Sequence, residues 1–375
     1  MKRKRPGASA LRRPALLLGV GVTALTLAAC SSSGGGSASS STAPAPTSAS
    51  ASASESSAAA LPAIPKKKVA YVEIFLQAPI EARINASFVA AAEAVGWEVT
   101  TTDVAADPQK ANDAINSAIL QKYDAIVLGS VEPSLVQESL KKAKEANIPI
   151  IAIAGESRHD LDSLLSAVYT ENDTKLSEPL GAELCANVKP GSEVAIIRFN
   201  LFFSGQIRGD TMKAAAEKCG LKVVADPEAE QTLTDSQAKT SAIINQFPNL
   251  AAVIPVYDTF TAGAVAAIKA ASKTDQISVY SYYADAINNP LMRDNKNIVA
   301  LADCDCVIEG PFTVNALVDL WVNSTPLPAT IPDGIITYSA ITQANIPPAG
   351  QDGPATVESV LQPYKDQWAT KFTLP

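Results

Sequence analysis

The feature that most constrains the fold is the alternation, from Lys68 onward, of short apolar runs with segments of helical pattern. Runs rich in Val, Ile and Ala predict strands buried on both faces, and the intervening helices predict parallel pairing. A first array of five strands is predicted at Val69–Phe75, Glu98–Val104, Ala125–Ser130, Ile148–Ala154 and Leu164–Thr170. The pattern therefore indicates an α/β fold with a parallel sheet covered by helices.

The helices of this array carry start signals. Pro79 is predicted to begin the first helix, and Asp107 followed by Pro108 gives the second a capping residue and a first-turn proline. Pro133 is predicted to begin the third helix in the same way. The chain between the strands is thus expected to form crossover helices of ordinary length.

The same pattern then restarts along the chain. A second array of strands is predicted at Glu193–Phe199, Leu221–Asp226, Leu250–Tyr257, Ile277–Tyr283 and Asn297–Cys304, with helices near 206–219, 235–247, 261–272 and 307–323. Two arrays of similar length predict two Rossmann-like lobes. Ligands of such sheets bind outside the carboxyl ends of the strands, so the predicted site is the cleft between the lobes.

The amino terminus has the composition of an export signal. Six cations lie within residues 2–13, and a short apolar stretch follows, ending in Leu27, Ala28, Ala29 and Cys30. This quartet resembles the bacterial lipobox, which implies cleavage before Cys30 and lipid attachment to its thiol. An ordinary secretory signal is the alternative. The pair Arg12 and Arg13 matches twin-arginine export poorly.

The segment after Cys30 is almost entirely Ser, Ala, Gly, Thr and Pro. Such a composition buries too little apolar surface to offset chain entropy. We therefore predict a signal peptide at 1–29 and a disordered tether at 30–65. Without the six signal cations, 24 Lys and Arg stand against 38 Asp and Glu, a formal charge of −14. This charge argues against nucleic acid as a partner.

Four cysteines remain besides Cys30. An even number in an exported chain favours disulfides, with three possible connectivities. Cys185 and Cys219 end the helices on either side of strand Glu193–Phe199, so they are expected to pair. Cys304 and Cys306 form the other predicted pair. Thiolates with the interleaved Asp303 and Asp305 leave a metal site as the alternative, although a structural zinc needs four ligands.

Four segments resemble the type I periplasmic sugar-binding proteins of the ribose-binding kind, which are substrate receptors of ABC importers. They are KKAKEANIPIIAI (141–153), VYTEND (168–173), RGDTMKAAAEKCG (208–220) and VYDTFTAGAVAAIKA (256–270). Their order and spacing carry the resemblance, which covers most of residues 68–346.

The resemblance implies two lobes joined by a three-segment hinge that closes over the ligand. The implied first lobe is 66–172 with 305–333, and the second is 173–304 with 334–346. Residues 347–375 form an extension with a helix expected near 356–371. Nothing in its sequence decides whether it braces a lobe or meets the transporter.

The positions that bind ribose in the family differ in this chain. The Asp and Arg that the family places after the fourth strand are Ala154 and Gly155 here, which leaves Glu156 as the nearest replacement. The family's stacking aromatics after Pro79 become Ile80 and Glu81. The resemblance therefore implies a related site with different ligand contacts.

The ligand-binding candidates combine these replacements with aromatic and acidic residues at strand ends. Gln206 takes the place of the family's ligand arginine, whereas Arg208 aligns with an arginine that is usually structural. Aromatic rings at the carboxyl ends of second-lobe strands are expected to face the cleft. The predicted ligand-binding residues are Phe75, Gln77, Glu81, Glu156, Phe202, Gln206, Tyr257, Asp258, Tyr283 and Asp303.

These features predict a non-enzymatic receptor. There is no G-x-S-x-G elbow or phosphate-binding glycine loop, and the only histidine is His159. We expect a monomer without cofactor or metal, anchored to the membrane by lipid, that passes a small neutral, sugar-like solute to an ABC permease. The alternative is a sensor for an autoinducer, nucleoside or small aromatic ligand. A repressor of the lactose kind is excluded by the export signal.

Overall fold

The computed structural model describes residues 60–230 and 232–374. In this part of the chain a first sheet has five parallel strands in the order β2-β1-β3-β4-β5. The strands are β1 Lys68–Glu73, β2 Glu98–Asp103, β3 Ala125–Gly129, β4 Ile150–Ile153 and β5 Ala167–Tyr169. The predicted first array is therefore confirmed, with each strand one to four residues shorter than its predicted range.

A second sheet has six strands in the order β11-β10-β9-β8-β6-β7. The strands are β6 Glu193–Ile197, β7 Lys222–Ala225, β8 Leu250–Pro255, β9 Ser278–Tyr282, β10 Ile298–Cys304 and β11 Tyr338–Thr342. All neighbours are parallel except β11, which runs antiparallel to β10. The predicted α/β fold of two helix-covered sheets is confirmed.

The helices cover both sheets. They are α1 Pro79–Ala94, α2 Pro108–Leu120, α3 Gln137–Glu145, α4 Asp173–Asn187, α5 Phe203–Lys218, α6 Leu233–Gln246, α7 Asp258–Ala270, α8 Asn288–Asp294, α9 Glu309–Asn323 and α10 Val357–Lys371. The predicted starts at Pro79 and Pro108 are confirmed. The Asp107 side chain accepts a hydrogen bond from the backbone nitrogen of Gln109 at 2.8 Å, which caps α2.

The predicted start of the third helix was wrong. Pro133 begins a short 3₁₀ turn that ends at Leu135, and α3 starts only at Gln137. Val136 between them has φ −129° and ψ 17°, outside the helical region, which breaks the helical run. A proline suits the first turn of either helix type, so it marks the turn without fixing its length.

The helices divide between two lobes. Helix α9 packs on α1 and β4, so it belongs with the first sheet although it follows β10 in the chain. Helix α4 packs on α5, β10 and β11 and belongs with the second sheet. We call the first sheet with α1–α3 and α9 the first lobe, and the second sheet with α4–α8 the second lobe. The residue bounds of the lobes stay predictions.

The carboxyl-terminal extension makes a further passage between the lobes. After β11, the carbonyl of Gln351 accepts a hydrogen bond from Asn289 Nδ2 of the second lobe at 3.1 Å. Helix α10 then packs on α1 and α9 of the first lobe. Thr373 finally donates from its backbone nitrogen to the Pro62 carbonyl at 2.9 Å. The extension therefore braces the first lobe and ends beside the start of the described chain.

The features predicted to associate with a membrane lie at the amino terminus. The signal segment, Cys30 and the tether up to residue 59 fall outside the described residues. The predicted end of the tether at residue 65 was wrong, because Ile64 is buried in the core and the Pro62 carbonyl accepts from the backbone nitrogen of Thr373. In 60–230 and 232–374, no helix has the length and apolar character that crossing a bilayer requires.

The structure pairs the cysteines as predicted from their positions. The Cα atoms of Cys185 and Cys219 lie 5.7 Å apart and those of Cys304 and Cys306 lie 5.1 Å apart. Both distances fall within the range of disulfides. Neither bridge has been tested, so both stay predictions.

Replacing Cys185 with Ser should lower the free energy of unfolding by about 3 kcal/mol, because the bridge to Cys219 closes a loop that spans 34 positions. Thermal unfolding of Cys185→Ser, Cys219→Ser and the double variant measures this effect. The three variants should melt at the same reduced temperature. An unchanged melting temperature would mean that the two thiols are not bonded.

Candidate functional site

The loops at the carboxyl ends of both sheets have strained backbones. Ser130 follows β3, Ala154 follows β4 and Tyr283 follows β9, with φ of 52°, 59° and 59°. A residue other than glycine costs about 1 to 3 kcal/mol in this region, and such residues cluster at functional sites. The two sheets present these loops to each other, so the strain marks the interlobe cleft.

Arg208 of α5 occupies the second-lobe side of this cleft and is almost completely buried. Its Nε donates to Asp173 Oδ1 at 2.5 Å and its Nη2 donates to the Tyr283 hydroxyl at 2.6 Å. The guanidinium carbon lies 4.8 to 5.1 Å from the ring centres of Tyr257, Tyr282 and Tyr283. Arg208 is therefore fixed by ion pairs with Asp173 and Glu171 and by three cation–π contacts.

Glu171 connects Arg208 to the first lobe. It lies in the segment that crosses from β5 to α4, and its Oε1 accepts from the Tyr283 hydroxyl at 2.9 Å. Its Oε2 accepts from the backbone nitrogen of Gly155 at 2.9 Å. One carboxylate at the crossing thus contacts the loop after β4 in one lobe and the residue after β9 in the other.

Glu81 lies in the first turn of α1, on the first-lobe side of the cleft. Its Oε1 accepts from Ser130 Oγ at 2.7 Å, whereas its buried Oε2 has no hydrogen-bond partner. The pKa of Glu81 is raised to about 8, chiefly by burial. The Ser130 hydrogen bond and the charge of Arg208 lower this pKa, and the charges of Glu171 and Asp258 raise it. Asp258 lies in the second lobe, so carboxylates of both lobes face each other across the cleft.

Asp258 and Asp285 form an acidic pair on the second-lobe side. Asp258 begins α7 and Asp285 follows β9, and both are fully buried. Their carboxyls lie within hydrogen-bonding range of each other, and burial raises the pKa of each. Each also has an Oδ2 without a donor. Two such carboxyls need a proton or a cation between them.

Aromatic rings surround Tyr257 in an edge-to-face cluster. The Phe199 ring lies 5.1 Å from Phe202, 5.5 Å from Tyr257 and 6.1 Å from Phe260 between ring centres. The Tyr257 hydroxyl hydrogen-bonds with Ser204 Oγ at 2.6 Å. These rings pack on one another and are buried, so they shape the second-lobe wall of the cleft.

The two lobes are in contact in this structure. Arg158 Nη2 of the first lobe donates to Gln206 Oε1 of the second at 3.1 Å, and its guanidinium lies over the Phe203 ring. A cavity of only about 10 Å³ remains where Ser130 and Gly155 approach Ser204. Small-molecule pockets typically measure about 300 to 1,000 Å³. A ligand can enter this cleft only if the lobes separate.

The structure gathers several predicted ligand-binding residues at the cleft. Glu81, Tyr257, Asp258 and Tyr283 lie around the buried carboxylates, and Phe202 lies beside them in the aromatic cluster. Whether they bind ligand stays a prediction.

Other predicted residues have different surroundings. Gln77 is exposed and Phe75 is half-buried beside the core. Glu156 accepts from the backbone nitrogen of Asp173 at 3.0 Å and from exposed His159 at 3.2 Å. Asp303 is fully buried and accepts from two backbone nitrogens, so it holds the loop after β9.

Sequence reasoning missed the carboxylates at the crossing. Glu171, Asp173 and Glu309 are buried and contact the cleft loops, and Arg208 was given only a structural role. The one available signal was the acidic run TEND at 170–173, which marked the crossing but not its contacts. Glu309 Oε2 accepts from the backbone nitrogen of Ala154 at 2.8 Å, while its Oε1 has no partner.

A group of possible metal ligands lies where the chain passes between the lobes, after β5 and after β10. Ligand atoms of Glu171, Cys306 and Glu309 lie within 4.8 Å of one another. The structure bonds Cys306 to Cys304, however, and a structural zinc needs four ligands with deprotonated thiols. The group therefore does not fit a zinc site.

A larger cavity of about 410 Å³ lies beside the crossings. Its lining includes Lys175 and Asp333, which form an exposed ion pair at 2.7 Å. None of its described lining residues has a buried polar side-chain atom without a partner. Since the unpartnered groups are at the cleft, we place the candidate site there.

The stability of the protein should decrease as pH rises from about 4.5 through 8. Glu81 binds its proton more tightly in the folded chain than in the unfolded one, so this contribution is lost on deprotonation. The pKa rises by about 3.5, from 4.5 to about 8, so at about 1.4 kcal/mol per pKa unit the expected loss is on the order of 5 kcal/mol. Thermal unfolding measured across this pH range should show a smaller decrease of the melting temperature with pH for Glu81→Gln than for the unchanged protein. An equal slope in both proteins would contradict the assignment.

The comparisons identify the family. A family model described as periplasmic binding protein domain matches residues 73–323. The D-ribose/D-allose-binding protein of Pseudomonas aeruginosa is 26% identical over 218 residues, which are 56% of this chain and 67% of that protein. The D-apiose import binding protein of Actinobacillus succinogenes is 26% identical over 214 residues, 56% of this chain and 68% of that protein.

Solved structures share the fold. An ABC transporter solute-binding protein from Burkholderia multivorans aligns with a TM-score of 0.67 and 23% identity, covering 74% of this chain and 100% of that one. A second, from Bacillus halodurans with bound myo-inositol, aligns with a TM-score of 0.67 and 19% identity over 76% and 95% of the chains. The chain belongs to the periplasmic binding protein family, and its resemblance to the type I sugar-binding members is confirmed.

Proposed function

We propose that this protein is an extracytoplasmic solute-binding protein that captures a small sugar-like ligand between its lobes and delivers it to an ABC importer. The single observation that carries the proposal is the set of buried, unpartnered polar atoms at the carboxyl ends of both sheets. Among them are Glu81 Oε2, Asp258 Oδ2, Thr259 Oγ1 and Asp285 Oδ2. Each buried polar atom without a partner costs about 1 to 3 kcal/mol, and ligand hydroxyls would satisfy them.

The relatives support a sugar as the ligand. The matched proteins are named for D-ribose, D-allose and D-apiose. This chain has Ala154 and Gly155 where ribose-binding members have Asp and Arg, and it supplies buried carboxylates from Glu81, Glu171 and Asp258 instead. The proposed ligand is therefore sugar-like but is held by different groups.

Capture without catalysis is the second part of the proposal. The buried carboxylates face one another, and the hydroxyl of Ser204 is hydrogen-bonded to Tyr257 rather than to a general base. The mechanism requires only that the closed lobes bind the ligand better than the open lobes do.

Attachment to the membrane is proposed through Cys30. The lipobox-like residues 27–30 and the Ser-, Ala-, Gly- and Pro-rich segment that follows Cys30 support a lipid anchor that lets the receptor domain move above a bilayer. Replacing Cys30 with Ala should release the protein from membranes of the producing cell into the soluble fraction. An unchanged membrane fraction would contradict the anchor.

A thermal-shift screen tests ligand capture. Sugars, polyols, nucleosides and small aromatics are added to the purified chain, because a ligand that binds only the folded state raises the melting temperature. A rise of several degrees with a sugar, lost in Tyr283→Ala, is the expected result. Shifts with phenolic or nucleoside ligands alone would overturn the sugar proposal and favour the sensor alternative.

A further inference from the structure

The charges around the cleft do not balance. On the positive side Arg208 is already bound by Asp173 and contacts Glu171. The charge of Arg83 lowers the pKa of Asp303, and its Nη1 and Nη2 are buried without a hydrogen-bond partner. On the negative side are Glu81, Asp258 and Asp285, none of which forms an ion pair within the described residues. The cleft therefore holds more carboxyl groups than cations, and burial favours their protonated form when no counter-charge is present.

The unpartnered atoms of these residues are all acceptors when ionised. Glu81 Oε2, Asp258 Oδ2 and Asp285 Oδ2 are buried without a hydrogen-bond donor. Asp258 and Asp285 are completely buried, and each is held in place through its other oxygen. No donor of the described residues reaches these oxygens, so without a ligand only protons on the carboxyls themselves can satisfy them.

Hydroxyl groups alone would supply no counter-charge, so the carboxyls could bind them only while keeping their protons. A neutral polyol donates hydrogen bonds, but a buried carboxylate without a counter-charge remains costly. A protonated amine supplies up to three donors and the missing positive charge together. Glu81 of one lobe and Asp258 of the other act on each other through space, so a cation between them would also draw the lobes together.

We infer that the ligand is a polyhydroxyl compound that carries a protonated amine, held by Glu81 from the first lobe and by the Asp258–Asp285 pair from the second. The inference rests on the proposed function, since it names the charge class of the sugar-like ligand. It departs from the neutral solute expected from the sequence.

Calorimetric titration of the purified full chain tests the inference with matched probes. D-Glucosamine, D-galactosamine and D-mannosamine are compared with their N-acetyl derivatives and with D-glucose, D-galactose, D-mannose, D-ribose and D-allose. The N-acetyl derivatives keep the ring and remove the charge. At least one amino sugar should bind at least tenfold more tightly than both its N-acetyl derivative and its neutral parent.

Single substitutions test whether Glu81 and Asp258 bind the amine. Glu81→Gln and Asp258→Asn keep the side-chain shape and should each reduce the amine preference at least tenfold. Glu138→Gln, an exposed carboxylate of α3, is the matched control and should retain the preference. Thermal unfolding without ligand gives a second readout, because removing an unpaired buried charge should raise the melting temperature at pH 8.5.

The outcomes separate the inference from the proposed function. If neutral sugars bind more tightly than every amino sugar, the ligand does not need an amine. The proposal that the protein captures a sugar would be unaffected. If both variants keep the preference for the amine, Glu81 and Asp258 are not the groups that bind it. Absence of binding by all the probes would count against both the inference and the sugar proposal.

Discussion

Arg208→Met should lower the free energy of unfolding by about 3 to 5 kcal/mol. The substitution keeps an unbranched chain of similar length but leaves Asp173, which is fully buried, without its counter-charge. Breaking a buried pair from one side is costly because the remaining charge stays out of water. Chemical unfolding in urea measures the loss.

A double-substitution cycle separates the charge from the packing. Asp173→Asn combined with Arg208→Met should lose much less than the sum of the two single variants, since neither unpaired charge remains. Lys213→Met lies on the same helix, where Lys213 forms a half-exposed ion pair with Asp226 at 3.8 Å. It should change stability by less than about 1 kcal/mol.

The cycle also tests the place of Arg208 in the site. If Arg208→Met costs no more than Lys213→Met, the guanidinium does not stabilise the crossing. Arg208 also donates to Tyr283, which contacts Glu171. Arg208→Met should therefore weaken ligand binding even at temperatures where the variant is fully folded.

Trp368→Ala should lower the free energy of unfolding by about 3 to 5 kcal/mol, the usual cost of removing a buried tryptophan. The Trp368 side chain is completely buried where α10 meets the first lobe. Its Nε1 donates to Asn315 Oδ1 of α9 at 2.9 Å. Differential scanning calorimetry should show one transition at a lower temperature, because the extension is part of the first lobe.

Gln362→Ala is the matched control on the same helix. Gln362 is exposed and hydrogen-bonds only with Asp366 within α10, so its removal should have little effect. Two separate transitions in the Trp368→Ala calorimetry, or a loss below about 1 kcal/mol, would mean that α10 is not part of the cooperative unit.

The sequence predicted the sheets well because their strands are buried on both faces. Runs such as Ala125–Gly129 are continuously apolar and fully buried, so their pattern is unambiguous. Strand β11, Tyr338–Thr342, was not predicted as a strand. It is a mostly half-buried edge strand of mixed composition, and its pairing with β10 depends on the chain returning from the first lobe.

The sequence predicted only those residues of the candidate site that lie just after the end of a strand. Tyr257, Asp258 and Tyr283 follow strands β8 and β9 directly, and this placed them at the cleft. Glu171 acts through Gly155, Tyr283 and Arg208, which come from three different elements. These contacts form only in the folded protein, where the chain passes from one lobe to the other. No local sequence pattern therefore predicts them.

Closure of the two lobes around a ligand is the central claim, and small-angle X-ray scattering of the purified chain measures it most directly. The contact between Arg158 and Gln206 must break for a ligand to enter and form again around it. We expect a smaller radius of gyration in saturating ligand than without it. An identical radius of gyration with and without a ligand that raises the melting temperature would contradict the account.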